Sequence, residues 1–167
     1  MRRYLIRAAL VMLFASVGAA LADSAKQSRP KASGPLDGMS FVGRIGPQGQ
    51  PDLDDTIYFN DGQFWSAACT RCGFAPAPYW ARRVGDAIEF RGTLESPERG
   101  VFTYVGVVRD GRLSTEINWR RDRWYWSIDR DLRFVGTLAG PDKAAMTVQS
   151  AIVVAAGPSP DPERCPR

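Results

Sequence analysis

Four times along this chain a large apolar residue, a spacer, a glycine, a second spacer and an aliphatic residue follow one another. The pentads run Phe41, Gly43, Ile45; Phe90, Gly92, Leu94; Tyr104, Gly106, Val108; and Phe134, Gly136, Leu138. Alternate side chains of a β-strand share a face, so each glycine lies between two apolar groups on the face expected to meet the core. A core-facing glycine inside a strand marks a bend, a bulge or the close approach of another group. Repeated from strand to strand, it curls a sheet toward closure. Valine at Gly92 or Gly136 is expected to cost about 1–3 kcal/mol through overpacking and lost curvature.

The segments around the pentads carry the same signal. Nine strand candidates cover residues 41–45, 56–59, 63–69, 79–84, 87–94, 101–108, 112–119, 124–128 and 132–138. Asp61-Gly62 and Asp110-Gly111 sit between strand-like runs, the strongest short-range hairpin signal. Ile88, Phe90, Gly92 and Leu94 alternate with polar residues, as do Leu113, Ile117 and Trp119. Trp124, Trp126 and Ile128 are expected to share a face with each other. Turns every 8–12 residues or so, with no helical pattern between strands, predict an all-β fold. We read it as a single antiparallel up-and-down β-barrel of about eight strands, with a β-sandwich as the alternative. Residues 141–156 are ambiguous: Pro141 and the alanines favour a helix, whereas Ile152, Val153 and Val154 favour a strand. A closing strand over 148–154 is the expectation.

Arg2, Arg3 and Arg7 precede an apolar run that ends in Ala20, Leu21 and Ala22. Basic head, apolar middle and small-x-small exit predict a secretory signal over residues 1–22, cleaved after Ala22. The run is shorter than the about 20 residues a spanning helix needs. No integral membrane segment is expected after cleavage, and no cysteine at the cleavage site suggests a lipid anchor. Residues 23–36 read as a flexible polar leader, 37–156 as the barrel domain and 157–167 as a Pro-rich tail. The expected location is the periplasm or the exterior. The signal segment holds three of the 22 basic residues and none of the 18 acidic ones, so the mature charge falls from +4 to +1. That gives no case for nucleic acid as a partner.

The chain has no histidine. Ser-His-Asp and Cys-His nucleophile systems are therefore excluded, as are His-ligated metal sites and histidine pH switches. Glu89 and Glu116 fall on outward strand faces, which gives no paired-carboxylate hydrolase. The acidic loop holding Asp52, Asp54 and Asp55 lacks calcium-loop spacing and reads as a solvated loop. No metal site, no cofactor and no catalytic residue is expected.

Two constellations remain. Cys69, Cys72 and Cys165 are disulfide candidates of open connectivity. A tail pinned by Cys165 to Cys69 or Cys72 would close a long loop, whereas Cys69–Cys72 would close a tight one. The aromatic candidates for ligand contact are Trp65, Tyr79, Trp80, Trp119, Trp124 and Trp126. They fill the interior or line a pocket at the mouth. Arg120, Arg121, Arg123 and Arg130 interleave with some of them, but Asp122, Asp129 and Asp131 lie between, so solvated turns with local ion pairs are expected.

The glycine-aromatic entry from Gly38 to Phe41, the consecutive hairpins and the export signal resemble the calycin group of lipocalin-like and avidin-like barrels. The run from Asp61 to Phe74 resembles small secreted proteins of Gram-negative bacteria with no assigned activity. The likeness spans roughly residues 36–138 and implies a barrel shape that can enclose a cavity, with no named ligand. The expected function is a non-catalytic binding module for a small apolar or aromatic-stacking ligand. The alternatives are a structural, interaction or inhibitor protein of the cell envelope with a solid core, and a thiol-redox protein using Cys69 and Cys72.

Overall fold

The computed structural model describes residues 34–140, 146–159 and 165. The expected signal segment, leader residues 23–33 and most of the tail lie outside the described residues.

Eight strands follow in order: β1 Ser40–Pro47, β2 Leu53–Asn60, β3 Gln63–Ser66, β4 Ala77–Val84, β5 Ala87–Ser96, β6 Gly100–Arg109, β7 Arg112–Arg123 and β8 Trp126–Leu138. Each pairs antiparallel with the next, and β8 returns to pair with β1 from Phe41–Leu138 to Pro47–Leu132. The result is the closed up-and-down barrel that the turn spacing predicts. Two tight hairpins follow from sequence: Asp61 and Gly62, and Asp110 and Gly111, all adopt positive φ of 50–69°. Only a turn of that hand matches the twist of the flanking strands.

The pentad glycines face inward, and neighbouring groups occupy the space their missing side chains leave. Gly43 of β1 pairs with Gly136 of β8, and Gly106 of β6 pairs with Phe90 of β5. The Phe90 ring lies where a Cβ on Gly106 would be, and the Phe64 ring does the same at Gly92. At Gly43 the occupying atom is the backbone carbonyl oxygen of Val135. The glycines therefore admit aromatic rings on one side of the barrel and bring two backbones together on the other.

Those rings fill the interior. Phe59 meets Phe41, Tyr79 and Phe90 edge-on at centroid distances of 6.1, 5.1 and 5.1 Å. Phe64 meets Tyr104 at 5.2 Å, and Phe74 meets Phe102 at 4.9 Å. Edge-to-face pairs at these separations add to the burial of the rings themselves. Both ends of the core are also covered. At the end with the tight hairpins, Leu36 is fully buried, so the last leader residues belong to the fold rather than to a flexible segment. Asp37 holds that turn: its carboxylate accepts from the Gly34 and Gly62 N–H groups at 2.9 Å and from the Tyr79 hydroxyl at 2.8 Å.

Three elements differ from the sequence-based expectation. The candidates at 124–128 and 132–138 are one long strand, β8. The strand expected over 63–69 stops at Ser66, where the chain enters the short helix α1, Ala67–Thr70. Residues 148–156 form helix α2, Val148–Ala156, capped by the Thr147 hydroxyl accepting from Ser150 N–H at 3.1 Å. A closing strand has nowhere to pair, because β2 and β8 already occupy both edges of β1.

Candidate interaction site at the plugged barrel end

The second end of the barrel carries α1, the acidic loop, the β5–β6 turn and the β7–β8 hairpin. Its chemistry begins with a buried carboxylate. Asp55, expected in a solvated acidic loop, instead lies in β2, points inward and is almost wholly buried. It accepts from Ser66 Oγ at 2.6 Å, from Ala68 N–H at 2.8 Å and from Thr56 N–H at 2.7 Å. Ser66 Oγ in turn accepts from Cys69 N–H at 3.1 Å, and Thr70 Oγ1 donates to the Ser66 carbonyl. These bonds satisfy the free N–H groups at the start of α1 and hold it inside the barrel mouth as a plug. The pattern is invisible in the run Ser66–Thr70, because the acceptor Asp55 comes from another strand.

Desolvation raises the Asp55 carboxyl above its ordinary value of 3.8, against the opposing pull of its three hydrogen bonds and of Arg71. A folded value above the unfolded one means that this group's stabilisation is full below about pH 4 and is lost as pH rises through the folded value. Asp55→Asn keeps acceptor and donor atoms in place. The wild type is therefore expected to lose stability relative to this variant as pH rises from 4 to neutrality, measured by urea unfolding at each pH. A constant difference would refute the assignment. Asp55→Ala strands three donors and is expected to cost about 2–4 kcal/mol at any pH.

Cys72 is disulfide-bonded to Cys165, 93 residues away, which settles the open connectivity in favour of a pinned tail. Cys69 is free and buried, with its sulfur 3.3 Å from the Tyr104 hydroxyl. Burial, and then the neighbouring Asp55, push the Cys69 thiol up to about 12. Burial likewise raises the Tyr104 hydroxyl well above its usual value. A reactive thiol needs the opposite shift.

Beside the plug lies an apolar cavity of about 140 Å³, bordered by Ile45, Leu53, Cys69, Cys72, Phe102 and Leu132 among others. Ligand pockets for drug-sized molecules start at roughly 300 Å³. This space fits a group no larger than a benzene ring.

The six aromatic candidates do not converge on it. Trp65 stacks on Tyr58 at 5.4 Å on the outer face and is fully buried. Tyr79 is inside, against Phe59, toward the opposite end. Trp80 lies on the outer wall, half-exposed between Arg82 and Arg91. Trp119 is buried in the core, stacks on Phe102 and donates its N–H to the Arg99 carbonyl at 2.8 Å. Trp124 and Trp126 stand beyond the rim.

They do so because β7 and β8 outrun their neighbours. β6 stops pairing with β7 at Arg120, and β1 stops pairing with β8 at Leu132. Beyond those points β7 and β8 pair only with each other, down to Arg123–Trp126, as a two-stranded ribbon. Its tip is Trp124, 93% exposed, and Tyr125, 67% exposed. Trp126 and Ile128 share a face as expected, but Trp124 occupies the turn and belongs to neither face.

A plugged, eight-stranded antiparallel barrel with a packed aromatic core and one projecting ribbon is the class of protein that this fold and site define. The shape is calycin-like. No family model, curated protein or solved structure matches the chain.

Proposed function

We propose that this chain is an exported, non-catalytic interaction protein of the cell envelope, in which the barrel is a solid scaffold and the β7–β8 ribbon is the working element. The observation that carries this reading is the filled interior: among the described residues, Phe41, Phe59, Phe64, Phe90, Phe134 and Tyr104 are buried where an up-and-down barrel would otherwise hold a ligand. The Cys72–Cys165 disulfide supports export to an oxidising compartment. The kinship expected with small secreted Gram-negative proteins belongs to this proposal as well. The non-catalytic part draws support from the plug: the hydrogen bonds of Asp55, Cys69 and Tyr104 stabilise and pack it, and burial raises the Cys69 thiol and the Tyr104 hydroxyl, which disfavours the anionic forms that would act as nucleophile or base. That shift also weighs against a thiol-redox role, as does the pairing of Cys72 with Cys165 rather than with Cys69.

The test shortens the ribbon. Replacing residues 121–128 by Asn-Gly joins Arg120 to Asp129, which already face each other, through a turn of the favoured hand. The shortened protein is expected to keep its far-UV circular dichroism and to lose co-sedimentation with the envelope fraction of its host. Co-sedimentation equal to the wild type would overturn the proposal.

The 140 Å³ cavity favours a second reading, a binding module for a small apolar group at the barrel mouth. Leu132→Trp fills the cavity from its wall. Under this reading benzene raises the melting temperature of the wild type and not of the variant; no shift in either would exclude it.

A further inference from the structure

We propose that the ribbon docks on an anionic phospholipid surface, with Trp124 and Tyr125 seated at headgroup level and the exposed guanidinium groups of Arg123 and Arg130 beside them meeting the headgroups; this deepens the interaction reading above and rests on it. The register of β7 and β8 divides the ribbon's charges by face. Trp119, Arg121, Arg123, Trp126, Ile128 and Arg130 point one way; Trp119 and Ile128 on that face pack on the core and Arg121 is part-buried, whereas Arg123 and Arg130 are exposed. Arg120, Asp122, Asp129 and Asp131 point the other. Along the sequence these residues alternate in sign and read as local ion pairs; on the strand pair they separate into a cationic aromatic face and a net acidic one.

The hydrogen bonds keep the two sets apart. Arg120 holds Asp122 at 3.0 Å, and Asn118 bridges Asp129 and Asp131 at 2.6 and 3.0 Å, all on the acidic face. Arg121 lies over the Trp126 ring at 5.7 Å and Arg130 over the Trp119 ring at 5.9 Å. Arg123 donates to the Glu98 carbonyl. Among the described residues none of these three arginines pairs with a carboxylate, so their charge is uncompensated on that face.

The tip selects lipid over other stacking partners. Trp124 and Tyr125 cross at 72°, and Tyr125 and Trp126 also at 72°. A run of bases stacks on successive ring faces that lie roughly parallel. Rings steeply inclined to one another on a projecting tip make a wedge, and tryptophan and tyrosine favour the membrane–water interface because each joins an apolar ring to a polar handle. Arginines beside such a wedge draw it toward anionic headgroups.

The experiment uses the purified full chain with vesicles of pure phosphatidylcholine and of phosphatidylcholine mixed with phosphatidylglycerol, read by co-sedimentation. Binding to the anionic vesicles is expected to be at least about tenfold tighter than to the neutral ones, and to weaken as salt is added. Because its two side chains are exposed, Trp124→Ala/Tyr125→Ala is expected to keep the melting temperature and to lose about tenfold or more in vesicle affinity. Arg121→Gln/Arg123→Gln/Arg130→Gln is expected to bind both vesicle types alike. Equal binding of the wild type to both vesicles, or tip variants that bind as well as the wild type, would overturn the proposal. So would ribbon-dependent capture by isolated cell-wall polymer or by an envelope protein without vesicle binding; that outcome would leave the interaction reading standing. Envelope association that survives ribbon shortening would remove the interaction reading itself.

Discussion

Alanine at Gly92 is expected to lower stability by about 3 kcal/mol, the upper end of what one added methyl group costs in a packed core. The reason is the neighbour it meets. The new Cβ would fall within the Phe64 ring, and that ring is held by Phe59, Phe90 and Tyr104. A ring packed on several sides cannot withdraw without moving its neighbours. Valine at the same site is expected to cost more, above the about 1–3 kcal/mol that overpacking suggests from sequence, because even its first carbon falls within a ring that is held on several sides. Gly43→Ala should match or exceed Gly92→Ala, because its Cβ meets the Val135 carbonyl oxygen, a backbone atom that no rotamer change can move. Gly49→Ala is the control: no atom lies within 4 Å of its added Cβ, and it should change stability by less than about 0.5 kcal/mol. Phe64→Leu placed with Gly92→Ala should return part of the loss, which a double-mutant cycle in urea would read as coupling between the two sites. Additive losses would show that the glycine does not serve that ring.

Cys72→Ser is expected to cost about 4–5 kcal/mol, since its disulfide removes the closure entropy of a long loop from the unfolded chain. The sequence separation of 93 sets that figure. For a domain of this size it corresponds to a fall in melting temperature on the order of 10–20 °C. Cys165→Ser should give the same loss, because either change breaks the same bond. Cys69→Ser should differ from both: its buried sulfur lies in no disulfide and is within hydrogen-bond reach of the Tyr104 hydroxyl, and a serine oxygen keeps a donor and acceptor in place. Thermal unfolding of the three variants therefore reports the pairing directly. Equal losses at Cys69 and Cys72 would contradict it.

The barrel was legible because its signals are local. Alternation at Ile88–Leu94 and Leu113–Trp119, the Asp-Gly turns and the inward glycines each depend on residues a few positions apart. The plug was not legible. Ser66 caps α1 only because Asp55, on a different strand, accepts its hydroxyl proton and the Ala68 N–H. By residue type, the strand signal of residues 63–66 therefore runs on into residues that turn inward as a helix. Helix α2 was missed for a related reason. Ile152, Val153 and Val154 suit a strand, but a strand needs a free edge, and whether an edge is free is a property of the closed sheet.

The candidate site divides in the same way. All six aromatic residues were visible by type, yet their distribution between core, outer wall and ribbon depends on where neighbouring strands stop pairing. Trp119 and Trp126 share a face and a strand pair, and one is buried while the other stands past the rim because β6 ends opposite Arg120.

By itself the sequence determined an all-β chain that curls on core-facing glycines, without histidine chemistry and with cysteines available for a disulfide. Those conclusions follow from side-chain alternation and residue chemistry, which act over a few positions. Only the tertiary structure decided that the barrel is filled and plugged, that Cys72 takes Cys165, and that the charges of the ribbon separate by face. Each of these depends on strand register and strand length, which are set by pairing between residues far apart in the chain.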